Sequence, residues 1–181
     1  YMLDRSFGFD TAVEIATLAI KSAHNESKGY PNGVGLIKLM GRNSGFIAAT
    51  ATVAEQDVNF LLVPEIDFDI HGKGALLEQL EERLKLRHHA VIVVAEGAGQ
   101  KFFDGDKAVT DASGNVKLQD IGLLLKEEIQ QYFKNKDMEI NLKYIDPSYI
   151  IRSLAPNAND RVFCNYLGRN AVHAAMTGRT D

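Results

Sequence analysis

Three short stretches combine residue types and spacings that can do chemistry. Leu39-Met-Gly-Arg-Asn-Ser-Gly45 closes an apolar run with a turn glycine and projects Arg42 beside an expected helix start. A guanidinium there can grip a phosphate or carboxylate through its planar fork, helped by the free N–H groups of the helix. A plain surface Arg after a turn is the competing reading. Val94-Ala-Glu-Gly97 sets Glu96 directly after a second apolar run. A carboxylate so placed can accept from sugar hydroxyls, hold a metal, or cap the segment that follows. Glu65, after Val63-Pro64, repeats the arrangement more weakly. Tyr149-Ile-Ile-Arg152 sets a phenol and a guanidinium three residues apart, able either to face one anionic group or to pack and solvate separately. Pro156-Asn-Ala-Asn-Asp160 reads as helix capping.

Other chemistries find little support. The five His residues show no metal-ligand spacing, so no metal site is expected. Cys164 has no second cysteine to pair with and is expected as a buried thiol on the apolar side of the last helix. Gly97-Ala-Gly99 lacks the third glycine and following helix of a dinucleotide fingerprint, which counts against an oxidoreductase domain. Twenty basic against twenty-four acidic residues leave a net charge of −4, no field for drawing in nucleic acid. The longest apolar run, Ala90 to Ala95, is far below the ~20 residues of a membrane span, and no secretory signal is expected at the N-terminus.

The elements that must position these residues alternate in hydrophobic period. Helices are expected over Thr11 to Ala23, with Thr11-Ala-Val-Glu14 as a capping box, and over Ser44 to Ala54, Gly74 to Leu86 and Leu118 to Phe133. A final helix, capped by Asn159 or Asp160, runs to about Met176. Val34 to Met40, Phe60 to Val63 and Ala90 to Ala95 read as buried strands, and Ile140, Leu142 and Tyr144 as alternate residues of a half-exposed edge strand. Gly97 to Val116 is expected as a long surface loop. The order α-β-α-β-α-β-α-β-α, with strands of continuous apolar residues, specifies a single doubly wound α/β domain over residues 1–181. Its sheet is mainly parallel, with helices on both faces. Ligands of such sheets sit at the carboxyl ends of strands, which singles out Met40-Gly41-Arg42, Pro64-Glu65 and Glu96-Gly97. Pattern alone reaches an α/β domain suited to a small phosphorylated polyol.

Lys38-Leu-Met-Gly-Arg42 with Ser-Gly-Phe after it, then Val63-Pro-Glu65, then Val93-Val-Ala-Glu-Gly97, resembles the phosphofructokinase family in order and spacing. Phe7-Gly-Phe-Asp-Thr-Ala12 is similar to the segment that follows that family's catalytic Thr-Ile-Asp-Asn-Asp. Asp111-Ala-Ser-Gly-Asn115, Leu118-x-Asp-Ile-Gly122, Tyr144-Ile-Asp-Pro-Ser-Tyr149 and Ala158-Asn-Asp160 resemble one branch in particular. That branch holds the plant, trypanosome and spirochaete-like enzymes, some using ATP and some pyrophosphate. The resemblance covers nearly the whole chain.

The resemblance implies a 6-phosphofructokinase of glycolysis, moving a phosphoryl group from ATP, or alternatively pyrophosphate, with Mg²⁺, to the 1-hydroxyl of fructose 6-phosphate. Met40, Gly41 and Arg42 then match the turn that binds the sugar phosphate, Arg42 being the catalytic residue that steadies charge on the transferred group. Glu96 matches the carboxylate that holds the sugar hydroxyls, and Tyr149, Ile150, Ile151 and Arg152 match the segment that clasps the 6-phosphate. A cytoplasmic homo-oligomer is implied for the complete enzyme. Two departures stand out. Gly33 occupies the place of an Arg that in the short bacterial enzymes reaches a neighbouring subunit, and Glu65 matches a position used there for an effector-bound metal. The family's Gly-Gly-Asp donor site and Thr-Ile-Asp-Asn-Asp base are absent from these residues. The expectation is therefore a sugar-phosphate-binding half that is catalytically silent alone. A non-catalytic sugar-phosphate-binding or subunit-interface module is the alternative.

Overall fold

A computed structural model describes residues 6–103 and 118–179. Four parallel strands, β1 (Gly33–Leu39), β2 (Phe60–Leu62), β3 (His89–Ala95) and β4 (Asn141–Ile145), lie in the order β2-β3-β1-β4. The central pair is in register from Gly33 opposite His89 to Leu39 opposite Ala95, and β4 pairs β1 from Asn141 opposite Gly33 to Ile145 opposite Ile37. Val34, Leu36, Ile92 and Val94 pack one face of the sheet against α3 (Leu76–Arg87) and α4 (Ile121–Asn135). Ile37, Leu39, Val91 and Val93 pack the other against α1 (Phe9–Lys28) and α2 (Phe46–Glu55). Alternate residues serve opposite faces, as the pleat requires, and both faces are covered. The doubly wound α/β reading holds, with β4 at an edge.

Two elements were not expected. A 3₁₀ turn spans Gln100–Phe103, inside the stretch read as loop, and a short helix α5 (Ser148–Ser153) follows β4. The Asp111-Ala-Ser-Gly-Asn115 motif and most of that loop lie outside the described residues. Helix starts also differ from expectation. Thr11 lies inside α1, which begins at Phe9 after Gly8, so the capping box does not form. Its hydroxyl instead donates to Asp160 Oδ2 at 2.6 Å.

Asp160 explains the displacement. The helix α6 (Ala158–Met176) is capped by Asn157, whose side chain accepts from the Asp160 N–H. The fully buried Asp160 carboxylate is thereby left to accept from Gly8 N–H at 2.9 Å and Thr11 N–H at 2.8 Å at the start of α1. A negative group at a helix N-terminus meets unpaired N–H donors and the positive end of the dipole. The rest of α6 is largely exposed. Cys164 is exposed rather than buried, and the apolar residues beside it, Val162 and Tyr166 among them, are exposed as well, so the apolar stripe of α6 is left largely uncovered by the described residues.

Asp160→Ala strands the hydroxyl and amide donors of α1 and is expected to cost about 2–3 kcal/mol, read from the urea midpoint. Asp160→Asn, which keeps one acceptor, should cost roughly half as much on the same scale.

Candidate functional site

All strands being parallel, every carboxyl end opens on the same edge of the sheet, and every predicted site residue follows one of those ends. The chain leaving β1 enters α2 on one face, and the chain leaving the neighbouring β3 passes to α4 on the other. Adjacent strands whose connections diverge leave a crevice between them, the usual ligand position of an open α/β sheet. Met40-Gly41-Arg42 and Glu96 directly follow the carboxyl ends of these two strands.

The two strand ends remain joined past the ladder. Glu96 N–H donates to the Leu39 carbonyl at 2.9 Å and Gly97 N–H to the Gly41 carbonyl at 3.0 Å. This approach needs glycine on both sides. Gly41 has φ +145°, and a Cβ on Gly97 would lie 1.7 Å from the Arg42 carbonyl oxygen. Met40, Arg42 and Glu96 are half-buried, and the Glu96 carboxylate takes no hydrogen bond from another described residue. It is not a cap.

Glu65 is one. Both its carboxylate oxygens accept from Gly45 N–H, at 2.8 and 3.0 Å, at the start of α2. The Gly45 N–H expected to help Arg42 hold an anion is therefore already engaged. Gly33 admits no side chain, since a Cβ would stand 2.0 Å from the Ser27 carbonyl oxygen of α1.

Along α5, Ile151 is 8% exposed and anchors the helix, while Tyr149, at 82%, and Arg152 are exposed. Tyr149 and Arg152 sit at i and i+3, one face of a helical turn.

A cluster without an expected role links this helix to the crevice. Lys38 Nζ lies 2.7 Å from Asp120 Oδ2 and 2.9 Å from Asp146 Oδ2. Asp120 caps α4 through Gly122 and Leu123 N–H and accepts from the Tyr144 hydroxyl at 3.3 Å. Gly122 leaves room for the Tyr144 ring, which a Cβ there would meet at 2.5 Å. The three segments that carry these residues were each legible as motifs, but their convergence was not.

Burial pushes both aspartates upward, yet hydrogen bonds from Lys38, from the Leu123 N–H to Asp120 and from Ser148 to Asp146 outweigh it and hold them below the usual carboxylate range. Lys38 is drawn down by burial and raised overall by its two aspartate partners. Burial lifts Tyr144 to about 12.

The signs set the pH response. Lowered carboxylates stabilise the fold above the ordinary range near pH ~4, and that contribution is lost as pH falls through their folded values. Asp146→Asn is expected to flatten part of the acid limb of the thermal midpoint against pH. Gly97→Ala forces the Arg42 segment away and is expected to destabilise by about 1–3 kcal/mol in chemical denaturation.

The family model described as Phosphofructokinase matches residues 1–175. The chain is 53% identical to an ATP-dependent 6-phosphofructokinase of Borreliella burgdorferi over 98% of its own length and 41% of that protein's. It is 52% identical to ATP-dependent 6-phosphofructokinase 4, chloroplastic, of Arabidopsis thaliana, over 98% of this chain and 34% of that one. It thus spans well under half the length of these relatives. Among solved structures, a pyrophosphate-dependent phosphofructokinase of Marinobacter aquaeolei superposes with TM-score 0.66 at 21% identity, covering 94% of this chain and 39% of that one. With the family model matched over almost its whole length and relatives at about half identity, the chain belongs to the phosphofructokinase family.

Proposed function

We propose that these residues form the acceptor side of a 6-phosphofructokinase, binding fructose 6-phosphate at the carboxyl edge of the sheet. The carrying observation is the close approach of the segments leaving β1 and β3, where Arg42 and Glu96 stand on backbones locked together through Gly41 and Gly97. The names of the relatives at about half identity support ATP as the donor, with Mg²⁺, and pyrophosphate remains the alternative. A cytoplasmic homo-oligomer belongs to the same reading, although one relative is named chloroplastic.

In the transfer, the sugar's 1-hydroxyl oxygen forms a bond to the donor's terminal phosphorus while the bond to the leaving oxygen breaks. The hydroxyl proton passes to a base, a role assigned to none of these residues. Arg42 faces charge building on the transferred group, where a fixed cation contributes most. Glu96 accepts from sugar hydroxyls and fixes the ring. Tyr149 and Arg152 take the 6-phosphate by a phenol hydrogen bond and a charged fork, with Ile150 and Ile151 setting their spacing. Among the described residues no three His, Cys, Asp or Glu side chains converge as metal ligands would.

In the complete enzyme, Arg152→Ala should weaken use of fructose 6-phosphate by about 2–3 kcal/mol in kcat/KM, as loss of a charged hydrogen-bonding partner does. Unchanged kinetics would remove Arg152 from the site. Arg42→Ala should lower kcat more than it raises the sugar-phosphate KM, because its interaction is strongest in the transition state. An effect confined to KM would contradict that role.

A further inference from the structure

We infer, building on the acceptor-site reading above, that Lys38 is a positioning residue of the sugar-phosphate site, holding α5 against the Met40–Arg42 turn through Asp146. Lys38 stands two residues before Met40, and Asp146 is the first residue after β4. The sheet register sets Ile37 opposite Ile145, so the next residue of each strand falls side by side at the carboxyl edge. Asp146 is a two-ended link. Its Oδ2 takes Lys38, and its Oδ1 accepts from the Ser148 N–H at 3.0 Å and hydroxyl at 2.5 Å, the first residue of α5. The Lys38 side chain is only 12% exposed, so water competes poorly for its ammonium group.

α5 is otherwise held by packing beside α1. It has six residues, too few to persist as an isolated helix, and Ile151 is its one buried side chain. It hangs from an edge strand whose residues are half-buried or exposed. The orientation of Tyr149 and Arg152 relative to Arg42 is therefore set by that packing together with the Lys38–Asp146 link, which alone ties the first turn of α5 to β1 by charge among the described residues. Without that group, Asp120 and Asp146 would face each other as two partly buried like charges, an arrangement relieved by moving α5 outward. Among the described residues, Tyr144 and Asp120 complete the set of charged and polar groups around Lys38.

The test compares variants of the complete enzyme in a coupled assay. Lys38→Met is expected to raise the KM for fructose 6-phosphate about tenfold or more, with kcat and the donor KM within about twofold. A role confined to stability would lower the thermal midpoint without that split. Asp146→Asn should raise the same KM less, and Lys38→Met combined with Asp146→Asn should be no worse than Lys38→Met alone, since both cut one link. Lys38→Arg, which keeps the charge, should recover most of the affinity.

The inference is overturned if Arg152→Ala raises KM but Lys38→Met does not, if Lys38→Met lowers kcat alone, or if the two link variants are additive. An unchanged KM in Arg152→Ala overturns the acceptor-site reading itself and this inference with it. Should Lys38→Met not fold, Asp146→Asn carries the test, because it leaves the Lys38–Asp120 pair intact. An unchanged KM there overturns the link.

Discussion

The pairing of β1 with β3 is the constraint from which the remaining architecture follows. Seven residues of each strand are matched, almost all of them buried, and the hydrogen bonding runs on into the loops beyond. The connections from β1 to β2 and from β3 to β4 run in opposite directions across the sheet, and right-handed crossovers in opposite directions take opposite faces, so α2 and α4 lie on opposite sides. The crevice at the carboxyl edge is what that divergence leaves behind. Small residues are demanded there by contact rather than by flexibility alone, since Gly97 meets the Arg42 carbonyl and Gly45 the Val63 side chain.

Charge is used in two different ways in the molecule. Between α3 and α4, Glu81 accepts from Lys85 and Tyr132 and pairs with Lys136, contacts that together lower its carboxyl to about 2. That cluster ties two helices on one face and touches no strand end. The Lys38 cluster instead joins a strand, a helix cap and a turn beneath the candidate site. The two resemble each other in composition and differ in what would move if either failed.

What could be read from the sequence divides along the same physical line. Continuous apolar strands such as Ala90 to Ala95 are legible because burial on both faces leaves no polar residue to interrupt them. Arg42 and Glu96 follow from a rule about strand ends and need no knowledge of neighbours. Helix boundaries were shifted by groups distant in the chain, α1 by Asp160 and α2 by Glu65, and local capping patterns carry no trace of such partners. Cys164 was misplaced for a related reason, since an apolar stripe on α6 does not say whether another element covers it. The Lys38 network depends on the register of β1 with β4, a relation between residues more than a hundred positions apart.

Asn157 and Asp160 fasten the first turn of α6 to the start of α1. Its nineteen residues extend about 28 Å from that point at 1.5 Å per residue. A tilt of about 10° about that turn would carry Met176 roughly 5 Å, so the angle at which α6 leaves α1 is set most sensitively where the Asp160 carboxylate meets Gly8 and Thr11.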